Sequence, residues 1–281
     1  MSLLTQLFLG AQSSVPTTPL LRVVVTIIVL AIFAAILVPI CIFFPKARKI
    51  LWLLLLSQIP LLILSFYQWL NISVLGKAVA FGWPVIILES IVWIALTAGL
   101  VWLAYRAARK YNVIPPFSWK YFRWGRMLIG GVLLIGSQYL LAALFSVIFG
   151  PSGNQTTSNQ ASLNSLAVQV PFLLFFLATV LAGFFEELLF RVGSFEILLP
   201  KHKNWAFLVS AFTFALAHIS AGPLWGTNEA LQSWIIYGTM ALILTGFYYK
   251  YRNFYLNMSI HMTLNIIASG LFWLQLIGII H

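Results

Sequence analysis

A chain of 281 residues that is 62% hydrophobic and only 7% charged cannot coat a water-facing surface, because soluble domains carry about 25% charged residues. Its mean hydropathy of +0.99 points to lipid as the solvent, and the length leaves room for one membrane domain and little else. Sixteen Lys and Arg against five acids give a net charge of +11, which in a membrane chain implies cytoplasmic loops facing anionic headgroups, and no nucleic-acid partner.

At the N-terminus, Leu3, Leu4, Leu7 and Phe8 suggest a short interfacial helix, and residues 1–19 lack the positive start of a cleavable signal. Apolar runs of about 20 residues mark membrane spans. Eight are expected: Leu20–Phe44, Ile50–Leu70, Val79–Tyr105, Met127–Phe149, Leu166–Leu199, Trp205–Ile219, Ser233–Tyr249 and Tyr255–Ile280. The fifth is longer than one crossing needs and should tilt, kink or protrude. Cys41, the lone cysteine, lies in the first run and reads as packing, with no internal disulfide partner. Apart from Arg22, Lys77 and Arg191, every basic residue follows the first, third, fifth or seventh run. That asymmetry puts both termini on the extracytoplasmic side.

Tyr105–Arg126 mixes basic and aromatic residues, as expected of an elbow at headgroup level. Gly150–Asn164 is polar and uncharged, and reads as a flexible external loop separating two four-helix halves, 1–150 and 151–281. Asn-x-Ser/Thr triplets at Asn71 and Asn154 fall on the expected outer side. The fold expected is all-α, a polytopic transmembrane bundle of about eight spans.

Charged side chains inside a bilayer cost about 2.5–3.5 kcal/mol each on insertion scales, yet L-A-G-F-F-E-E-L-L-F-R places Glu186, Glu187 and Arg191 in the fifth run. Arg191 follows Glu187 by four residues and shares its helix face. Glu186 points about 100° around the helix. The pair is therefore divided into a neutralised carboxylate and a candidate catalytic one, or else forms a salt-bridged joint with a purely structural role.

Two further pairs at four-residue spacing, Phe214 with His218 and His261 with Asn265, lie in the sixth and eighth runs. With about 1.5 Å of rise per residue, Glu186 and His218 lie roughly 20 Å from the cytoplasmic boundary and His261 roughly 10 Å. Those depths permit three helices to deliver polar groups into one cavity in the C-terminal half.

E-E-L-L-F-R, F-A-L-A-H and H-M-T-L-N, in that order across residues 166–281, resemble the E-E-x-x-x-R, F-x-x-x-H and H-x-x-x-N signatures of the CAAX-protease and bacteriocin-processing (Abi) family of intramembrane glutamic proteases. The resemblance implies that Glu186 activates water with His218 holding or sharing it. It implies that His261 and Asn265 donate to the tetrahedral oxyanion, a stabilisation that commonly dominates acyl-transfer catalysis. Glu187 and Arg191 would shape the site and Phe214 would pack against the catalytic helix. No cofactor and no Ser or Cys nucleophile is implied. The substrate would be a membrane-associated or prenylated CaaX-type peptide.

Three rivals stand beside that expectation. Glu186, His218 and His261 can be read as three zinc ligands, although H-E-x-x-H is absent and Arg191 disfavours a dication. Buried Glu, His and Arg also build proton or transport paths, but no inverted repeat is visible and the first half contributes only Glu89. The third is a non-catalytic immunity protein on the same scaffold.

Overall fold

The computed structural model describes residues 83–114, 122–149, 175–219 and 227–276, with scattered positions between 31 and 52 and residues 117, 157, 160, 163 and 164. Most of the expected spans Leu20–Phe44 and Ile50–Leu70, the N-terminal interfacial helix, Cys41, Lys77, Asn71, Asn154 and the Glu89 side chain lie outside the described residues.

The described residues are helical and contain no strand. They form α1 (Trp83–Lys110), α2 (Trp124–Phe149), α4 (Lys203–His218), α5 (Asn228–Tyr251) and α6 (Phe254–Leu276), with a composite helix, α3, between α2 and α4. Within α3 a π-helical stretch Phe175–Leu181 leads into one α-helical piece, Ala182–Glu186, and a second π-helical stretch, Glu187–Glu196. Where the sequence suggests a tilt, kink or protrusion, the described part of the fifth run shows widened turns, which are rare and concentrate at functional sites. Side chains support them: Ser194 Oγ donates to the Leu189 carbonyl at 2.9 Å, five residues back.

Two of these helices, α2 and α5, are long and apolar enough to cross a membrane by length and composition. Large apolar side chains cover the outside of α1 and α2, including Val132 at 69% and Val147 at 83% exposure. An apolar exterior that extensive is a lipid or partner surface. By contrast, every residue from Glu187 to Phe195 is buried, as expected of a central helix. α3 is flanked by α1, α4, α5 and α6, while α2 packs against α5 and α6.

Small residues set how closely these helices approach, as in membrane bundles generally. A Cβ on Gly183 would meet Met262 Cγ at 2.8 Å and the Met262 backbone nitrogen at 3.4 Å, so α3 and α6 nearly touch beside the Glu186–Glu187 pair. On the opposite side of α6, Gly130 of α2 receives the Ile260 side chain. Between α4 and α3, Ser210 Oγ donates to the Phe190 carbonyl at 2.9 Å and lies 3.3 Å from Thr245 Oγ1 of α5. Buried hydroxyls of this kind satisfy one another across helices where water is absent.

The turn between α5 and α6 is tight. Arg252 adopts left-handed φ 49 and ψ 36 as the C-cap of α5, and Asn253 Oδ1 accepts from Leu256 N at 3.0 Å to start α6. Arg252 also pairs with Glu196, tying this turn to the end of α3.

Two expectations change. The basic-aromatic elbow is shorter than Tyr105–Arg126, because α1 continues to Lys110 and α2 begins at Trp124. The basic residues ride on helix ends over aromatic rings: the Arg126 guanidinium sits 4.4 Å from the Tyr251 ring centre and that of Arg106 4.8 Å from Trp102. Within Gly150–Asn164, the described positions are anchored rather than free. Thr157 is buried with its hydroxyl 3.1 Å from Tyr237 Oη, and Gln160 Nε2 donates to Asn164 Oδ1 at 2.9 Å. Hydroxyl and amide groups at the edge of an apolar bundle have more to gain from each other than from loop freedom.

Candidate active site

The sequence puts Glu186, Glu187 and Arg191 on α3, Phe214 and His218 at the end of α4, and His261 and Asn265 in the middle of α6. Packing of α4 and α6 against α3 brings most of these side chains to one buried point. Glu186 Oε2 lies 3.4 Å from His218 Nε2 and 3.7 Å from His261 Nε2. The depth difference expected for His261 disappears, since one carboxylate oxygen reaches both rings.

The adjacent carboxylates have different surroundings. Glu187 and Arg191 are both 0% exposed, with Oε1 and Nη1 3.3 Å apart, as the four-residue spacing predicts. Glu187 Oε1 also accepts from His261 Nδ1 at 3.0 Å, and Oε2 accepts from Asn257 Nδ2. A buried charge needs this many partners to offset its desolvation. Glu186, 4% exposed, is different: its Oε2 is buried and accepts no hydrogen bond among the described residues.

Each histidine is fixed by its other nitrogen. His218 Nδ1 lies 2.8 Å from the Phe214 carbonyl. A carbonyl only accepts, so Nδ1 carries the proton and Nε2 is left facing Glu186. His261 follows the same rule with the Glu187 carboxylate on Nδ1. The cluster thus holds two carboxylates against one guanidinium, and one proton shared among Glu186, His218 and His261 makes it neutral.

Aromatic rings wall the site. His218 is stacked between Phe214 and Tyr237, with ring centres 4.4 and 4.7 Å away. Phe214 meets Phe190 of α3 edge-on at 5.2 Å, lies 5.8 Å from His261 and has the Arg191 guanidinium over its face at 4.8 Å. The expected packing of Phe214 against α3 is therefore present, with Arg191 as an added cation–π partner.

Asn265 stands apart. Its Nδ2 donates to the Ala178 carbonyl in the first π-helical stretch at 2.9 Å, and it lines a separate small cleft with Gln160, Asn164, Ser269 and Trp273. Two site residues escape the sequence reading. Asn257 precedes His261 by four residues and extends the His261–Asn265 stripe by one turn, a legible signal. Tyr237 is one aromatic among many in an apolar helix, and only packing singles it out. Among the described residues, no group of three His, Cys, Asp or Glu side chains is arranged to hold a metal ion.

The site is thus a buried acid–imidazole cluster inside an apolar helical shell. Sequence comparisons narrow the class. The model of a family described as type II CAAX prenyl endopeptidase Rce1-like matches residues 168–267, which include every residue placed in the site above. UPF0177 protein YvdC of Lactococcus lactis subsp. lactis (strain IL1403) is 38% identical over 223 residues, covering 78% of this chain and 76% of that protein. No solved structure matches. The chain belongs to the CAAX-protease and bacteriocin-processing family, a family of membrane-embedded proteases.

Proposed function

We propose that this protein is an intramembrane glutamic endopeptidase that hydrolyses a peptide bond in a membrane-associated substrate, with Glu186 as the base that activates water. The observation that carries the reading is the division between the two carboxylates. Glu187 is held by Arg191, His261 and Asn257, whereas Glu186 Oε2 is buried, accepts no hydrogen bond among the described residues and is faced by two imidazole nitrogens. A water donating one proton to Glu186 and the other to His218 Nε2 satisfies both acceptors and directs its lone pairs outward. General-base assistance of this kind contributes about 10²–10⁴-fold.

His261 supplies a donor to the oxyanion through Nε2 when its ring carries both protons. Asn265 adds its second amide N–H after a small movement of α6 or the substrate. Arg191 and Glu187 hold the cluster together, and Phe214 keeps His218 in plane. The family's endopeptidase name supports a C-terminal, prenylated CaaX-type peptide as one substrate class, and an unprenylated membrane-bound peptide precursor is the other. In the same reading the chain is a multi-pass bundle of about eight spans with both termini extracytoplasmic and its basic side on anionic headgroups.

The test is cleavage of a peptide panel by purified protein in detergent. It includes prenylated CaaX peptides and bacteriocin-type precursors, and compares wild type with Glu186→Ala, with and without chelator. Turnover that survives chelation and vanishes in the variant, with an unchanged melting curve, is the expected result. Activity lost to chelator and restored by zinc would overturn the glutamic mechanism in favour of a metal one. A panel left uncut would favour the transport or non-catalytic readings.

A further inference from the structure

The asparagine named by the H-x-x-x-N signature is not the one that touches the carboxylate pair. Asn265 is bonded to the Ala178 carbonyl, while Asn257, one turn before His261 and only 1% exposed, donates through Nδ2 to Glu187 Oε2. Its own Oδ1 is buried and has no hydrogen-bond donor among the described residues. An unpaired buried acceptor costs about 1–3 kcal/mol, so the amide is held at this point at the expense of its second half. A residue serving packing alone would be better replaced by Leu or Met.

The two oxygens of Glu187 are divided between partners. Oε1 faces Arg191 Nη1 and His261 Nδ1, and Oε2 faces Asn257. With a donor at each oxygen the carboxylate plane cannot rotate. Rotation would carry Oε1 away from His261 Nδ1 and free the ring to exchange tautomers. Asn257, Glu187 and His261 therefore form a chain with a fixed direction, ending in His261 Nε2, 3.7 Å from Glu186. A carboxylate that sets the tautomer of an imidazole is the same device that orients the histidine of a hydrolytic triad.

We propose that Asn257 is a positioning residue: by locking Glu187 it keeps the His261 proton on Nδ1 and presents Nε2 to Glu186 and the reacting groups. Rigid support of this sort is what makes neighbouring hydrogen-bond partners of a functional group matter to its rate. Only the kinetic part of the test depends on the protease reading; the spectroscopic part does not.

The experiment uses full-length protein in nanodiscs with ¹⁵N-labelled histidine, assigned through His261→Gln and His218→Gln. In wild type, the His261 proton is expected on Nδ1, facing Glu187 Oε1. In Asn257→Ala and Asn257→Leu, the His261 signal should move to a mixture with the tautomer that lacks the Nδ1 proton, while Asn265→Ala leaves it in place. For any peptide the wild type cleaves, kcat should fall about 10–100-fold in the Asn257 variants with KM little changed. A wild-type His261 whose Nδ1 carries no proton overturns the proposal without any variant. So does an Asn257→Leu protein with the wild-type histidine spectrum. If the spectra follow the proposal but no peptide is cut, the positioning role stands and the protease reading fails.

Discussion

α2 and α3 are both rich in apolar residues, yet they face opposite solvents. α2 is a regular helix with a mean hydropathy of 2.2 over its most apolar stretch, and side chains such as Val132 and Val147 point outward into the apolar surroundings. α3 carries three glutamates and an arginine, is buried at every residue from Glu186 to Phe195, and gives up regular α-helical turns over most of its described length. Lipid imposes one demand, that the backbone satisfy itself, and a plain α-helix meets it. A polar cluster imposes another: its charged groups must also meet partners from neighbouring helices at fixed distances. The widened turns occur where both demands act on the same residues.

That contrast breaks first at Glu186. Glu186→Gln should lower peptidase turnover by about 10²–10⁴-fold. It should leave the thermal midpoint in detergent unchanged or raised, because Oε2 accepts no hydrogen bond among the described residues. A variant with full activity would end the water-activation reading. Next comes the saturated half of the pair. Arg191→Ala leaves Glu187 buried without its cation and should destabilise by about 3–5 kcal/mol, seen as a large drop in melting temperature. Arg191→Lys should restore only part of that, since Lys lacks the planar fork that also covers Phe214.

The third prediction concerns spacing. Gly183→Val drives a side chain into Met262 and its backbone. A loss of about 1–3 kcal/mol should come with a disproportionate fall in activity, because the helix carrying His261 must move from Glu186. Equal activity per folded molecule would show that the close approach serves packing alone. The fourth is small. Glu196→Gln at the partly exposed pair with Arg252 should cost no more than about 1 kcal/mol, with the effect shrinking as salt is raised. Smallest of all, Val147→Leu on the outer face of α2 should shift stability by less than about 0.5 kcal/mol in a thermal melt.

Much of the site was readable from spacing. Residues four apart share a helix face, so the Glu187–Arg191 pair and the Phe214–His218 contact follow from the sequence alone. Depth permitted the convergence of Glu186, His218 and His261 without fixing it, since rise per residue along straight helices left His261 about two turns too shallow. Asn257 was legible as an i−4 neighbour but carried no motif. Tyr237 and Thr157 were not legible, because their contact joins an apolar helix to a polar connecting segment 80 residues away. The role expected of Asn265 is the least supported by local geometry, since its amide is engaged by a backbone carbonyl.

The sequence by itself determined the solvent, the helical class and the chemical inventory, because composition and periodicity act through local rules of burial and hydrogen bonding. It also determined which side chains share a face. What only the tertiary structure decided is how the two carboxylates differ. Glu186 and Glu187 are adjacent and chemically identical, and no local rule assigns Asn257 and His261 to one of them while leaving the other open. That assignment depends on how closely α6 approaches α3 at Gly183 and on how the π-helical turns rotate Glu187 toward it. Both are set by packing between segments some 70 to 80 residues apart, a distance over which sequence pattern carries no register.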